Sequence, residues 1–254
     1  MGATSLRDAC VLVTGASSGI GRACAEAFAA EGSRLVLAAR RRDRLEDLAA
    51  VLPVPTHPVE LDVRDRSAVD AVIGGLPADW AAVDVLVNSA GLAAGFAPLQ
   101  DSDPDDWDRM IDTNVTGLLN VTHAVLPGML ARGRGHIVNI GSIAGREAYP
   151  NGAVYCASKA AVDRITTGLR MDVVGSGVKV SVIQPGLVET DFSVVRFGGD
   201  ADRAEMVYEG LEPLTGADIA DTVVWVASRP PHVQVAEVVV LAGAQASATI
   251  VHRS

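Results

Sequence analysis

Short apolar runs alternate along this chain with longer amphipathic stretches, and that alternation limits the folds open to it. Runs at 10–14, 34–39, 57–61, 83–88, 135–140, 178–183 and 235–241 have strand length. Helical patterns cover 20–31, 43–50, 67–74, 104–132, 153–174 and 217–228. A strand, a helix and a returning parallel strand form one unit, and its repetition predicts an α/β fold. The expectation is a doubly wound parallel sheet of about seven strands with helices on both faces. Aromatic residues make up only 4% of 254 residues against 49% hydrophobic, so the core is aliphatic, as buried parallel strands require. No Pro/Ser-rich linker or repeat divides the chain. One domain over 1–254 is expected, with 187–214 as an insertion before the last helix.

Composition excludes several functions. A net charge of -10 argues against binding to a phosphate backbone. The cysteines Cys10, Cys24 and Cys156 are scattered, without a CxxC pair, which fits a reducing compartment. No apolar run reaches the roughly 18 residues of a membrane span. The stretch 1–8 has no apolar segment behind a basic patch, so no secretory signal is expected and the protein is read as cytoplasmic. The five histidines show no metal-ligand spacing, and no metal is expected. The acidic run 101–106 reads as a helix start, with Ser102 or Asp103 as cap and Pro104 at the first position, rather than as a calcium site.

The first strand runs into Thr14-Gly15-Ala16-Ser17-Ser18-Gly19-Ile20-Gly21, which opens the first helix. Glycines there permit a tight turn and close approach of a pyrophosphate, and the helix start offers free N–H groups and a positive dipole end. The spacing is G-x3-G-x-G, and the lysine of a nucleoside-triphosphate loop is absent. At the end of the second strand, where an acid would bind the 2′-hydroxyl of NAD, the chain has Ala38-Ala39-Arg40-Arg41-Arg42. Guanidinium groups at Arg40 and Arg41 suit a 2′-phosphate and predict NADP(H), the alternative being a solvated basic helix start. Asp62 and Val63 close the third strand, where Asp62 either holds the adenine or caps a helix.

With these motifs the chain resembles the short-chain dehydrogenase/reductase family over nearly its whole length. The loop matches TGxxxGxG. Asn88-Ser89-Ala90-Gly91 matches NNAG, with Ser in place of the second Asn. Tyr155-Cys156-Ala157-Ser158-Lys159 matches YxxxK, and Pro185-Gly186-Leu187-Val188-Glu189-Thr190 matches PGxxxT. The resemblance implies a Rossmann-like domain with cofactor contacts at Gly15, Ser17, Ser18, Gly19, Ile20, Gly21, Arg40, Arg41, Asp62, Val63, Asn88, Ala90 and Gly91. It extends them to Tyr155, Lys159, Pro185, Gly186, Val188 and Thr190, the last alternatively a plain helix cap.

The same resemblance implies catalytic roles for Ser142, Tyr155, Lys159 and Asn114. Tyr155 is the proton donor to a carbonyl, and Lys159, one helical turn on, lowers its pKa by charge and holds the nicotinamide ribose. Ser142 polarises the carbonyl oxygen. Asn114 holds a water that links the lysine to solvent. Cys156 is expected to point away from this site.

The segment 192–200, with 207–210 and 251–253, resembles the substrate loop of NADP-dependent 3-hydroxy acid dehydrogenases, including those of serine and L-allo-threonine. This implies a small 3-hydroxy acid or its semialdehyde, the alternatives being a larger ketone or aldehyde, or a non-catalytic NADP-binding sensor. A carboxylate wants a cation, and Arg196 is the first candidate with Arg146 as rival. Tyr149 and Phe192 are expected to line the same pocket. A homodimer or homotetramer through the helices over 105–132 and 153–174 is implied as well.

Overall fold

The computed structural model describes residues 4–254, so part of the stretch 1–8 read for a secretory signal lies outside the described residues. β1 (Cys10–Thr14), β2 (Arg34–Ala39), β3 (Thr56–Glu60), β4 (Val85–Asn88), β5 (Gly135–Ile140), β6 (Val178–Pro185) and β7 (Glu237–Val240) form a single sheet. Its order is β3-β2-β1-β4-β5-β6-β7, and every pairing is parallel.

The pleat of β1 sorts its side chains to two cores. Val11 and Val13 join the core under α1 (Gly19–Ala30), α2 (Arg42–Val51) and the last long helix, here α9 (Gly216–Ala227). Cys10 and Leu12 join the core on the other face, under α3 (Arg66–Gly74), α5 (Leu118–Arg132) and α6 (Ala153–Asp172). The four β1–β4 partner pairs set a register that brings Thr14 opposite Asn88. The strand order reverses between β1 and β4, and the two crossovers leave a crevice beyond their carboxyl ends, where open sheets of this kind bind ligands.

The local signals act as their chemistry requires. Asp103 caps α4 (Pro104–Ile111) by accepting from Asp105 N–H, with Pro104 in the first turn. Thr215 and Asp218 form a reciprocal capping box at the start of α9. Asp62 caps nothing: its carboxylate pairs with Arg64 at 2.6 Å, and Asp65 caps α3.

Two expectations need correction. The pattern over 104–132 is not one helix, because α4 and α5 are separated by a π-helical segment, Asp112–Gly117. Tertiary bonds hold the wider turn open. Asn114 bonds across to Leu92, and a Cβ at Gly117 would lie 2.5 Å from Val63 Cγ2. The insertion 187–214 also carries structure of its own, α7 (Asp191–Arg196) capped by Thr190 and α8 (Ala201–Glu205) capped by Asp200.

Candidate active site

The crevice is a cleft of about 380 Å³, and each residue expected to touch the cofactor lines it except Asn88. The Asn88 side chain is turned beneath the floor, donating to Thr122 Oγ1 at 3.0 Å and Asn139 Oδ1 at 2.9 Å. It ties β4 to β5 and α5, while Ser89, Ala90 and Gly91 form the wall. Thr14 supports that wall from β1: its hydroxyl accepts from the Ser89 and Ala90 N–H groups, both at 3.1 Å.

The glycine loop fits a dinucleotide phosphate by what it leaves open. Gly15 has φ +70°, and a Cβ there would lie 2.9 Å from Ala90 Cα. Ser18 stands at the N-cap of α1 and makes no side-chain bond to the helix. Its hydroxyl instead accepts from Arg41 Nη2 at 2.9 Å, and Ser17 Oγ does the same at 3.0 Å. The first turn of α1 is therefore left without a side-chain cap where Gly19, Ile20 and Gly21 line the cleft, as an anion site requires. Burial pushes the Arg41 pKa down, and the neighbouring charges of Arg44 and Arg40 add to it. This crowding of cations at the lip calls for an anion such as a 2′-phosphate.

Four side chains meet at the inner end. Tyr155 and Lys159 are buried on α6, and Ser142 is buried just beyond β5. Lys159 Nζ donates to Ile140 O at 3.0 Å and lies 6.0 Å from the Tyr155 ring centre. Burial pushes the Lys159 pKa down to about 8, and Asp163 on the same helix pulls it back up. Burial pushes the Tyr155 phenol up, with Tyr149 adding to the rise, while Ser142 and Arg196 pull it down. The expected depression of Tyr155 by Lys159 is not among the effects acting on the phenol. Desolvation is the larger effect, and the ammonium has no bond to the phenol.

Asn114 is buried with its side-chain amide fully engaged. It accepts from Leu92 N–H at 2.8 Å and donates to Leu92 O at 2.8 Å and Ser158 Oγ at 3.0 Å. A Cβ at Gly91 would sit 3.2 Å from Asn114 Oδ1 and 3.5 Å from Lys159 Nζ, so glycine is what lets these groups approach.

Arg196 enters from α7 over this floor. Its Cζ lies 4.7 Å from the Phe96 ring centre, 5.3 Å from Tyr149 and 5.8 Å from Tyr155. Among the described residues no carboxylate pairs with it, and its buried Nε has no hydrogen-bond partner. Phe192 packs edge-on to Tyr155 at 5.6 Å. Tyr149 backs Arg196 without lining the cleft itself.

Arg146 is a correction. It is exposed, donates to Gln184 Oε1 at 3.0 Å and faces Glu237 at 3.9 Å, outside the cleft, because the turn after Ser142 directs it toward β6 and β7. Cys156 does not line the cleft; its buried thiol faces Tyr149 inside the aromatic cluster behind it. Sequence reasoning also overlooked Phe96 and Tyr208. The Tyr208 hydroxyl donates to Val188 O at 2.9 Å and lies 2.7 Å from Ser193 Oγ, bracing the insertion. In a chain with only four Phe and three Tyr, their rarity was the available signal.

The model of the short chain dehydrogenase family matches residues 9–197. The chain belongs to this family. It is 50% identical over 227 residues to a sulfoacetaldehyde reductase of Chromohalobacter salexigens, covering 88% of this chain and 90% of that one. It is 46% identical to an NADP-dependent 3-hydroxy acid dehydrogenase, YdfG, of Salmonella typhi, covering 96% of this chain and 99% of the relative. Among solved structures, the closed form of a serine dehydrogenase complexed with NADP+ superposes with a TM-score of 0.92 at 43% identity, covering 96% and 99% of the two chains.

Proposed function

We propose that this enzyme interconverts a short aldehyde and the corresponding alcohol, the substrate carrying a terminal carboxylate or sulfonate. The enzyme is an NADP-dependent oxidoreductase. The observation that carries the substrate reading is the guanidinium of Arg196, which has no carboxylate partner among the described residues and lies 5.8 Å from the Tyr155 ring. A two- or three-carbon chain bridges these groups, with its carbonyl at Tyr155 and its anion at Arg196. Phe96 and Tyr149 keep water from the guanidinium, so an entering anion gains a charge-assisted hydrogen bond in a dry setting. Relatives named for 3-hydroxy acids and for sulfoacetaldehyde support both anion types.

When bound, the cofactor supplies the hydride. The Tyr155 hydroxyl gives the proton to the carbonyl oxygen and takes it back in the alcohol-oxidising direction. Ser142 Oγ hydrogen-bonds that oxygen as negative charge develops. Lys159 holds the nicotinamide ribose, and its ammonium compensates the phenolate. Asn114, locked to Leu92 and Ser158, holds the wall behind Lys159 and the water that links the lysine to solvent. Thr190 serves both as the cap of α7 and as a contact for the carboxamide. Arg40 and Arg41 hold the 2′-phosphate, and Asp62 with Val63 borders the adenine. The chain works as one domain in the cytoplasm, as a homodimer or homotetramer. Exposed apolar residues Ile111, Leu119, Leu130 and Met171 on α4, α5 and α6 support association through those helices.

Steady-state rates with NADPH on malonic semialdehyde, sulfoacetaldehyde, propanal and a bulky aryl ketone test this reading. Arg196→Met is expected to raise KM for the anionic aldehydes about tenfold to a hundredfold, the loss of one charged hydrogen bond, and to leave propanal unchanged. Preference for the bulky ketone, with Arg196→Met indifferent, overturns it.

A further inference from the structure

Asp163 lies one helical turn beyond Lys159 on α6, and nothing in the reaction as described above uses it. It is buried, which is costly for a carboxylate and calls for a reason. Its surroundings supply one. A Cβ at Gly141 would lie 3.2 Å from Asp163 Oδ1, and one at Gly145 only 2.7 Å from Oδ2. These glycines flank the turn that carries Ser142, so the carboxylate is wedged directly behind that turn. Asp163 Oδ2 accepts from Gln184 Nε2 at 2.8 Å, Gln184 Oε1 accepts from Arg146, and Arg146 faces Glu237 on β7. Among the described residues Asp163 Oδ1 has no hydrogen-bond partner. The carboxylate is therefore held in place by one neutral donor, and its charge is not neutralised by a direct ion pair.

We infer that Asp163 is a positioning residue: its buried carboxylate backs the Ser142 turn and supplies the counter-charge that keeps Lys159 protonated for binding the cofactor. This rests on the assignment of Lys159 to the nicotinamide ribose proposed above.

The charged groups around the pair are few. Lys159 is faced by Tyr155 and Asp163 from its own helix and by the neutral Asn114 from the π segment. Asp163 is faced by Arg164 on α6, by Arg146 after β5 and by Glu237 on β7. Burial raises the Asp163 carboxyl, and the Gln184 donor, Arg164 and Arg146 draw it back. Burial pushes the Lys159 ammonium down to about 8, and the Asp163 carboxylate one turn away draws it back up. A negative charge beside an ammonium raises the ammonium's pKa, so removing it lowers that pKa and brings loss of charge closer to neutrality.

The test is NADPH affinity against pH, read by fluorescence, which needs no substrate. Wild type is expected to lose affinity as pH rises through the Lys159 titration. Lys159→Met should abolish that limb, and a limb that persists would sink the lysine assignment itself. Asp163→Asn keeps the shape and loses the charge, and should move the limb down by about one pH unit. Asp163→Ala, which always fits the space, should move it equally. If Lys159→Met removes the limb while either folded Asp163 variant leaves it in place, the inference is overturned. A purely structural Asp163 would lower the melting temperature in both variants with the limb unmoved. Failure to reduce any anionic aldehyde would count against the substrate reading alone.

Discussion

Tyr155 shows how a single side chain depends on its setting. Burial favours the protonated phenol, which suits a proton donor in the reductive direction. Tyr155→Phe removes that proton while keeping the ring against Phe192. Turnover is expected to fall by about 10²- to 10⁴-fold, the scale of lost general acid catalysis, with NADPH affinity nearly unchanged. Parallel measurement of kcat and of NADPH Kd checks both halves. Arg196, Tyr149 and Phe96 make the complementary point. Each is an ordinary residue in the sequence, and only their stacking turns the arginine into a partly dry cation with no carboxylate partner among the described residues.

At the scale of elements, the junction of β1 and α1 carries most of the cofactor's demand. Gly21 sits in the first turn of α1, where a Cβ would lie 2.4 Å from Gly15 O. Gly21→Ala therefore pushes the helix start away from the loop. NADPH affinity is expected to fall at least tenfold in titration, with the far-UV circular dichroism spectrum retained. The seven strands and six long helical patterns were legible because apolar period and turn chemistry are local properties. The break of 104–132 into α4, a π segment and α5 was not, because its cause is Asn114 bonding to a loop 22 residues earlier. The helices α7 and α8 were missed for another reason: with six and five residues they are too short to show a period.

Across the whole molecule, the sheet carries buried polar groups whose cost depends on pH. His136 on β5 is buried, with Nε2 2.8 Å from Ser181 Oγ and Nδ1 without a partner among the described residues. Burial, with Lys179 nearby, pushes its pKa down to about 3 from an ordinary 6.5. The unfolded chain then binds a proton that the folded chain refuses, so this site costs stability as pH falls from 6.5 toward 3. The melting temperature is expected to drop over that window, and His136→Leu should flatten the drop. Ser181 keeps its bond to Val235 O in that variant, so no new unpaired hydroxyl arises. An equal acid drop in the variant would assign it to other groups.

The sequence by itself determined the βαβ alternation, the glycine turn and the spacing of Tyr155 and Lys159, since each is a local pattern of apolar period, backbone freedom or helical repeat. Tertiary structure decided which side chains face the cleft. It turned Asn88 and Arg146 away, brought Phe96 and Tyr149 to Arg196, and set Asp163 behind Ser142. Orientation of this kind depends on partners distant along the chain, and no local pattern encodes which of two polar residues finds its partner first.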